Sequence, residues 1–457
     1  MGNRMQMGLL RLLLIAAVGL VWGCCNDNAK KKTADTLVDG TVPPEPPTIP
    51  EEDGPYADLY NALGTTDSLP IRGRLVEEKA GLDPAKTDPK GQMSQDEITE
   101  TAIDLSLLSA GQTVDIGSVT TDNEGYVDTA IDLSGKGLAA GSYTLQARVA
   151  DKLVGLVPAT LLALDHSGSL VRSDVDLTYL NTQFVSALDK IELLGDEAKD
   201  RKALPAMEVV YPAIRGGADG AQNRSLVFLS GSPKFFKRIL EGKMALDGVQ
   251  QDGVVLKPYK DIVVGNLLDF DFGGIIPELE EQVGYKLYWV MRLRLEAPAA
   301  APEILMGDDS EADIVVYVLY HRFTSGELDE AGLMAELEKV DVAKAWSDSI
   351  AELAPQVLAH LAGQAPPVEA IYINKTGLDT AHFPVADWNV DGITRYHYGA
   401  WPLTLDLYQS GFISKTDVQG VKDRFIALGK SADYLKTRSD HGVSEGYLKA
   451  ETVAEFE

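Results

Sequence analysis

The chain has 457 residues, 45% of them hydrophobic, which is enough for two or three domains with substantial cores and excludes global disorder. Lysine and arginine number 41 against 69 aspartate and glutamate, a formal net charge of -28. A field of that sign repels nucleic acid and anionic lipid over most of the surface. We therefore expect no nucleic-acid partner, and expect any anionic substrate to be held by a local cation or metal.

The first segment, residues 1–23, resembles a bacterial lipoprotein signal peptide. Arg4 and Arg11 precede an apolar run, and the two cysteines of the chain, Cys24 and Cys25, follow it directly. The apolar run is short for a bilayer span of ~20 residues, so an uncleaved membrane anchor is the less favoured alternative. We expect cleavage before Cys24, lipidation of its thiol, and a lipid-anchored location in the bacterial cell envelope, on the periplasmic or outer-membrane side.

Two regions follow the cysteines. Residues 24–56 are rich in proline and predict an extended tether, because proline fixes φ and removes a backbone donor. Residues 57–166 predict a small β-sandwich, of immunoglobulin-like type, since apolar and polar residues alternate with period two at 143–149 and turn residues stand at 122–125. This region carries no convergent cluster of site residues, so binding or spacing is its expected role.

From residue 167 onward strand and helix patterns alternate, which predicts an α/β fold with a parallel sheet. A long acidic helical stretch is interrupted by Pro355, where we predict a break between two helices. Strand-like runs stand at 170–171, 225–230, 303–306 and 368–373, and helical patterns stand at 184–194, 278–295, 328–361 and 416–428.

Four polar motifs stand at or beside these elements. They are a D-x-D-x-T sequence, a Ser-Gly pair after the second strand, a lysine on a helix, and an acidic run after a later strand. The residues are Asp174, Asp176 and Thr178; Ser230 and Gly231; Lys286; and Asp308, Asp309 and Asp313. Because the carboxyl ends of parallel strands meet at one edge of a sheet, we expect the strand-end groups to lie together.

Each motif has a simpler interpretation when it is taken alone. Ser230 is most simply a helix N-cap, and Asp309 and Asp313 are most simply caps of the following helix. Lys257 and Lys260 are rivals of Lys286, which has the better spacing to Asp308.

The order of the motifs resembles that of the haloacid-dehalogenase (HAD) superfamily of phosphotransferases. Residues 228–233, 284–286 and 304–313 resemble more narrowly the actin-patch-type phosphatidate phosphatases, which are related to the lipins. Leu177 stands where that family more often has a third aspartate, and the residue before Lys286 is not the usual histidine. The resemblance extends over residues 167–414 and implies a HAD-like Rossmannoid domain at 167–457, with flanking helices and a C-terminal helical extension.

The resemblance implies a role for each motif residue. Asp174 is the nucleophile that forms an aspartyl-phosphate, and Asp176 is the general acid and base. Phosphate is bound by Thr178, Ser230, Gly231 and Lys286. The cofactor is Mg2+, which takes oxygen ligands, here from Asp174, Asp176, Asp308, Asp309 and Asp313.

The sequence therefore predicts a Mg2+-dependent phosphomonoester hydrolase acting on phosphatidate or another phospholipid monoester. One alternative is a catalytically silent lipoprotein that binds phosphatidate or phosphate, which the retained Asp174 and Asp176 disfavour. Another is a periplasmic phosphatase for soluble nucleotide or sugar phosphates. The expected partners are a phosphorylated small molecule or phosphatidate, and a membrane reached through the lipid on Cys24.

Overall fold

The computed structural model describes residues 54–77, 96–182, 197–257, 282–377 and 388–457. All of these belong to one folded unit, Thr48–Glu457. The predicted signal peptide, Cys24, nearly all of the predicted tether and the predicted helix at 184–194 lie outside the described residues. Among the described residues, no helix combines the length and apolar character that a bilayer span requires.

The N-terminal part is built from two β-sheets that share a core. In the strand Ala102–Ser109, Ile103, Leu105 and Leu107 are buried, while Asp104, between the first two, is exposed. This is the period of two that is expected of a strand with one covered face. The same core receives side chains from both sheets. The strands are β1 (Tyr56–Leu59), β2 (Ala62–Thr65), β3 (Ser68–Val76), β4 (Ala102–Ser109), β5 (Gln112–Thr120), β6 (Tyr126–Asp132), β7 (Gly141–Val149) and β8 (Lys152–Leu162), in the orders β1-β3-β6 and β2-β8-β7-β4-β5.

The C-terminal part alternates strands with helices. A 3-10 turn, Lys234–Phe236, connects the strand Leu226–Pro233 to the helix Lys237–Leu246. The elements are β9 (Leu170–Ser173), α1 (Met207–Gly216), β10 (Leu226–Pro233), α2 (Lys237–Leu246), β11 (Gly253–Lys257), α3 (Gln282–Leu295), β12 (Glu303–Asp308), α4 (Asp313–Thr324), α5 (Glu330–Lys339), α6 (Lys344–His360), β13 (Val368–Asn374), β14 (Thr394–His397), α7 (Ala400–Gln409), α8 (Lys415–Ala427), α9 (Ala432–Ser444) and α10 (Ala450–Ala454).

The predicted parallel sheet is confirmed. Its order is β11-β10-β9-β12-β13-β14, and each neighbouring pair is parallel. Counted from β9 as the first strand, the order is 3-2-1-4-5-6, which reverses direction between β9 and β12. Ligands of open α/β sheets bind in the crevice at such a reversal, beyond the carboxyl ends of the two strands. Asp174 directly follows β9, and Asp308 ends β12.

Helices cover both faces of this sheet, so alternate residues of each strand enter different cores. In β10, Phe228 packs with residues of α1 and α2, whereas Val227 and Leu229 pack with residues of α3 and α4. Strands buried on both faces read as continuous apolar runs, as β10 does. The chain changes face after β11, and this change produces the reversal between β9 and β12.

The prediction that Pro355 separates two helices is wrong. The helical stretch does divide in two, but the break lies at residues 340–343, where Asp341 has a φ of 58°. Pro355 lies inside α6 and is exposed to solvent. On that face the carbonyl that loses its helical donor belongs to Ala351, which is also exposed and open to solvent, so the proline is accommodated.

A buried charge network lies on the α3 side of the sheet, beneath β9 and β12. The Glu303 carboxylate accepts a hydrogen bond from Tyr320 Oη at 2.6 Å. It also lies 3.4 Å from Arg172 Nε and 3.6 Å from Arg294 Nη1. None of these side chains exceeds 2% exposure. Burial lowers the pKa of Arg172, and the carboxylate of Glu303 opposes that effect.

We predict that Glu303→Ala lowers the free energy of unfolding by roughly 3–5 kcal/mol, because it leaves two buried guanidinium groups without their counter-charge. Urea unfolding followed by circular dichroism measures this loss. Asp348→Ala is the matched control, because it breaks an exposed ion pair with Lys344 and should leave the unfolding midpoint nearly unchanged. A Glu303→Ala protein with the wild-type midpoint would contradict the prediction.

Candidate metal and phosphate site

The turn after β9 is held by both neighbouring strands. The backbone N–H of Asp174 donates to the carbonyl of Met306 in β12 at 2.8 Å. Leu177 has a φ of 54°, which is uncommon for a branched residue and persists only where the surroundings enforce it. Its carbonyl accepts a hydrogen bond at 2.7 Å from Asn374 Nδ2, at the end of β13. The turn that carries Asp174 and Asp176 is therefore anchored on two sides.

Three aspartates meet at the edge of the sheet. Asp174, Asp308 and Asp313 are fully buried, and each offers a carboxylate oxygen within 4.8 Å of the others. Gly307 makes this approach possible: a Cβ at that position would lie 2.5 Å from the Cβ of Asp313. Residues from the ends of two strands and the start of α4 thus form a single acidic cluster, as the sequence predicted for Asp174 and Asp308.

Lys286 is the cation of this cluster. Its side chain is fully buried, and Nζ donates to Asp174 Oδ1 at 2.8 Å, to Asp313 Oδ1 at 2.5 Å and to Glu311 Oε2 at 3.3 Å. Burial by itself lowers the pKa of the ammonium group, but the surrounding carboxylates outweigh burial and hold the pKa well above its usual value. Lys286 is therefore charged and bound directly to the candidate nucleophile.

The acidic cluster retains unused oxygens. Burial, and then the charge of Asp313, raise the pKa of both Asp174 and Asp308 well above the usual range. The Oδ2 atom of each is buried and has no hydrogen-bond partner in the described part of the chain. An all-oxygen donor set with unused carboxylate oxygens fits a hard divalent cation such as Mg2+, and does not distinguish Mg2+ from other oxygen-preferring ions.

The serine loop, Ser230–Phe236, approaches the site from β10. Ser230 Oγ and Ser232 Oγ donate to Asp176 Oδ2 at 3.2 and 3.1 Å. Gly231 is buried, and a Cβ there would lie 2.8 Å from Gln282 Oε1. The hydroxyl of Thr178 is buried and lacks a hydrogen-bond partner among the described residues. Asp176 is therefore bound by the two serines, and it belongs to the serine-loop side of the site rather than to the three-aspartate cluster.

Asp309 lies outside the cluster. Its Oδ1 accepts from the N–H and the hydroxyl of Thr376, both at 2.8 Å, and its own N–H donates to the Asn374 carbonyl at 3.1 Å. Asp309 thus holds the turn after β13. Of the predicted metal ligands, the structure brings together Asp174, Asp308 and Asp313, and it places Asp176 and Asp309 beside them with other partners.

The sequence argument missed three site residues. Glu311 contacts Lys286, Ser232 contacts Asp176, and Asn374 holds the turn at Leu177. Glu311 stood in the acidic run already noted. Asn374 is a polar residue at the end of a buried strand, and that signal alone singles it out.

Comparison with known proteins leaves the chain without an assigned family. No protein-family model matches it, and no curated protein does. An immunoglobulin-like protein from Pseudomonas aeruginosa shares 11% identity over 25% of this chain and 98% of its own, with a TM-score of 0.14. A β-glucuronidase from Ruminococcus gnavus shares 9% identity over 70% of this chain and 46% of its own, with a TM-score of 0.21. The chain thus spans about half of that enzyme, and at these TM-scores the likenesses carry no argument.

We predict that millimolar Mg2+ raises the melting temperature of the protein, and that Asp308→Asn abolishes this rise. A cation that binds the folded state at 100 times its Kd adds about 2.7 kcal/mol of stability. Because Asp308→Asn also removes one of three crowded negative charges, it should raise the metal-free melting temperature. A thermal titration with and without Mg2+ measures both effects.

Asp309→Asn is the control for this titration, since Asp309 is bound to Thr376. It should retain the Mg2+-dependent rise. The assignment fails if Asp309→Asn loses the rise while Asp308→Asn keeps it.

Proposed function

We propose that this protein is a Mg2+-dependent phosphomonoester hydrolase of the HAD type, which forms a phosphorylated intermediate on Asp174. The observation that carries the proposal is the meeting of Asp174, Asp308, Asp313 and Lys286 in a buried cluster at the sheet edge. A structural ion cluster has no need of three crowded aspartates of which one lysine pairs with only two. Phosphoryl transfer does, because it requires a nucleophile, a cation site and a positive charge in one place.

The topology supports the HAD-like, Rossmannoid assignment of this domain. The nucleophile candidate follows β9, the two serines of the serine loop lie in the last residues of β10, and the second acidic group ends β12. These strands are neighbours at the centre of the sheet, on either side of the reversal. The strand order 3-2-1-4-5-6 therefore brings three of the four motifs to one crevice, and α3 adds the lysine.

In the proposed first step, Asp174 Oδ2 attacks phosphorus while Oδ1 stays bound to Lys286, which orients the carboxylate and offsets the charge of the transferring phosphoryl group. The bond from phosphorus to the ester oxygen breaks, and Asp176 gives its proton to the leaving oxygen. Ser230 and Ser232 hold Asp176 for this transfer.

In the second step, Asp176 takes a proton from water, and the water oxygen attacks phosphorus. The bond between phosphorus and Asp174 Oδ2 breaks, which releases inorganic phosphate and restores the carboxylate. Asp308, through its free Oδ2, and the Asp174 carboxylate would hold Mg2+, with Asp313 close by, and the bound ion would supply positive charge that offsets the phosphate and carboxylate charges. The buried Thr178 hydroxyl can donate to a phosphoryl oxygen, and Ser230 would do so by giving up its bond to Asp176, which Ser232 retains.

We propose phosphatidate or another phospholipid monoester as the substrate class, reached by a protein anchored to the cell envelope through lipid on Cys24. The support for this choice is the resemblance of residues 228–233 and 304–313 to phosphatidate phosphatases, together with the sequence of the N-terminal segment. Soluble nucleotide or sugar phosphates are the alternative substrates, and a substrate panel separates the two classes.

The test uses the full-length chain purified in detergent, with Mg2+, against phosphatidate in mixed micelles, a nucleoside monophosphate and p-nitrophenyl phosphate. We expect phosphate release that is fastest with phosphatidate and that falls by at least roughly a thousandfold in Asp174→Asn, as it does when nucleophiles are removed. Asp309→Asn should stay within about tenfold of wild type, because Asp309 only supports a turn.

The outcomes separate the alternatives. Release from soluble esters with no dependence on acyl chains favours the periplasmic phosphatase. Equal binding of phosphatidate by wild type and Asp174→Asn, with no release by either, favours the silent binding protein. Absence of both release and binding from folded, Mg2+-binding protein would refute the proposed function.

A further inference from the structure

The N-terminal β-domain, residues 54–162, forms ion pairs with the residues that directly follow the serine loop. Asp58 of β1 is 3% exposed, and its Oδ1 accepts from Lys237 Nζ at 2.9 Å and lies 3.4 Å from Arg238 Nε. Its Oδ2 lies 3.6 Å from Arg74 Nε within the β-domain. Lys237 and Arg238 are the first residues of α2 and follow the serine loop without a gap. A buried carboxylate thus ties the two domains together at this point.

Aromatic side chains of the β-domain surround the same contact. Three cations of the serine loop and the start of α2 each lie over a tyrosine ring of the β-domain, at 4.2 to 5.0 Å from the ring centroid. The pairs are Lys234 with Tyr126, Lys237 with Tyr60, and Arg238 with Tyr56. Lys234, Lys237 and Arg238 are therefore each paired with a ring of the other domain.

The charge balance makes the contact specific. Burial raises the pKa of Asp58, but the nearby lysine and arginines outweigh burial and hold its pKa well below the usual range. A buried carboxylate that binds cations from two domains costs much to leave unpaired, so it disfavours any other relative placement of those domains.

A second contact joins the β-domain to α3, the helix that carries Lys286. Arg292 of α3 donates to both carboxylate oxygens of Asp128 in β6, at 2.6 and 2.7 Å. The guanidinium groups of Arg72 and Arg292 lie 5.0 and 4.8 Å from the centroid of the Trp289 ring. The β-domain thus contacts α3, which carries Lys286, and the segment that directly follows the serine loop, the loop that carries Ser230. Helix α3 and the serine loop are the two elements other than β9 and β12 that are proposed to bring phosphate-binding groups to the site.

We propose that the β-domain is a positioning element of the candidate site, and that Asp58 is the residue through which it places Ser230 and Ser232 against Asp176. The proposal rests on the proposed function for its catalytic consequence. A domain that served only as a spacer would need no buried ion cluster at the segment following the serine loop. Asp58 touches neither substrate nor reacting atoms, so its role is that of a positioning residue.

The experiment compares hydrogen–deuterium exchange of peptides covering residues 226–240 in the full-length wild type and in Asp58→Asn. We expect the backbone amides of residues 230–238 to exchange about tenfold faster in Asp58→Asn, since a charge-assisted contact is lost. Strands β3 to β8 should keep wild-type protection. Inorganic phosphate, used as a competitive inhibitor, should bind about tenfold more weakly, the equivalent of one lost hydrogen bond.

Thr160→Val is the matched control. The Thr160 hydroxyl donates across the same pair of domains to Asp252 at 2.8 Å, but Asp252 precedes β11, at the opposite edge of the sheet from the site. This variant should leave exchange in the serine loop and phosphate inhibition unchanged. If Asp58→Asn does not fold, the charge-balanced variant Asp58→Asn with Lys237→Gln takes its place, with the same expectations.

Two results would overturn the proposal: wild-type exchange at residues 230–238 in the folded variant, or faster exchange spread evenly over the whole chain. Because exchange requires no turnover, it also separates this proposal from the proposed function. Suppose that the wild type releases no phosphate, but that the serine loop exchanges selectively faster in Asp58→Asn. This result would refute the proposed phosphatase activity and would support the proposed positioning of the serine loop by the β-domain.

Discussion

The site depends on the burial of several like charges in one place. Asp174, Asp308 and Asp313 present oxygens within 4.8 Å of one another, where repulsion is of the order of 3 to 4 kcal/mol per pair at an effective dielectric constant of about 20. Lys286 opposes this repulsion through direct ion pairs with Asp174 and Asp313, but among the described residues it forms no such pair with Asp308. The protein therefore has to retain protons on these carboxylates or accept a further cation, and the unused Oδ2 atom of Asp308 favours the cation.

Much of the backbone around the site serves to bring these charges together. Gly307 permits Asp313 to reach the end of β12, and Asn374 holds Leu177 in a positive-φ conformation. The sheet contributes most, because the reversal between β9 and β12 makes Asp174 and Asp308 neighbours across 134 residues of sequence. Each of these features has a cost or a constraint of its own, and each is explained by the need to place acidic groups at one point.

The sequence predicted the elements of the site better than the orientation of its side chains. Periodicity identifies strand ends, so Asp174, Ser230 and Asp308 were expected at one sheet edge, and the parallel sheet is confirmed. Asp309 was not separated from Asp308, because the direction of a side chain after a strand depends on the next turn, and here on Thr376, which lies two residues after the end of β13. Pro355 was misjudged because its effect depends on solvent exposure, which no local pattern reveals. The partners of Asp58 lie some 180 residues away and left no local signal.

The contact between the domains follows the same physical rule as the site itself. Buried ion pairs add little net stability over an apolar contact, but they penalise every arrangement in which a charge loses its partner. An apolar surface would let the β-domain slide over α2, whereas the buried Asp58 carboxylate favours one placement of its cations. The pair of Asp128 with Arg292 is exposed, and it adds a directional contact on α3. The two pairs act on different helices, so together they restrict rotation as well as translation. The site needs that restriction, because the serine loop has to stay within hydrogen-bond distance of Asp176, and Lys286 within hydrogen-bond distance of Asp174.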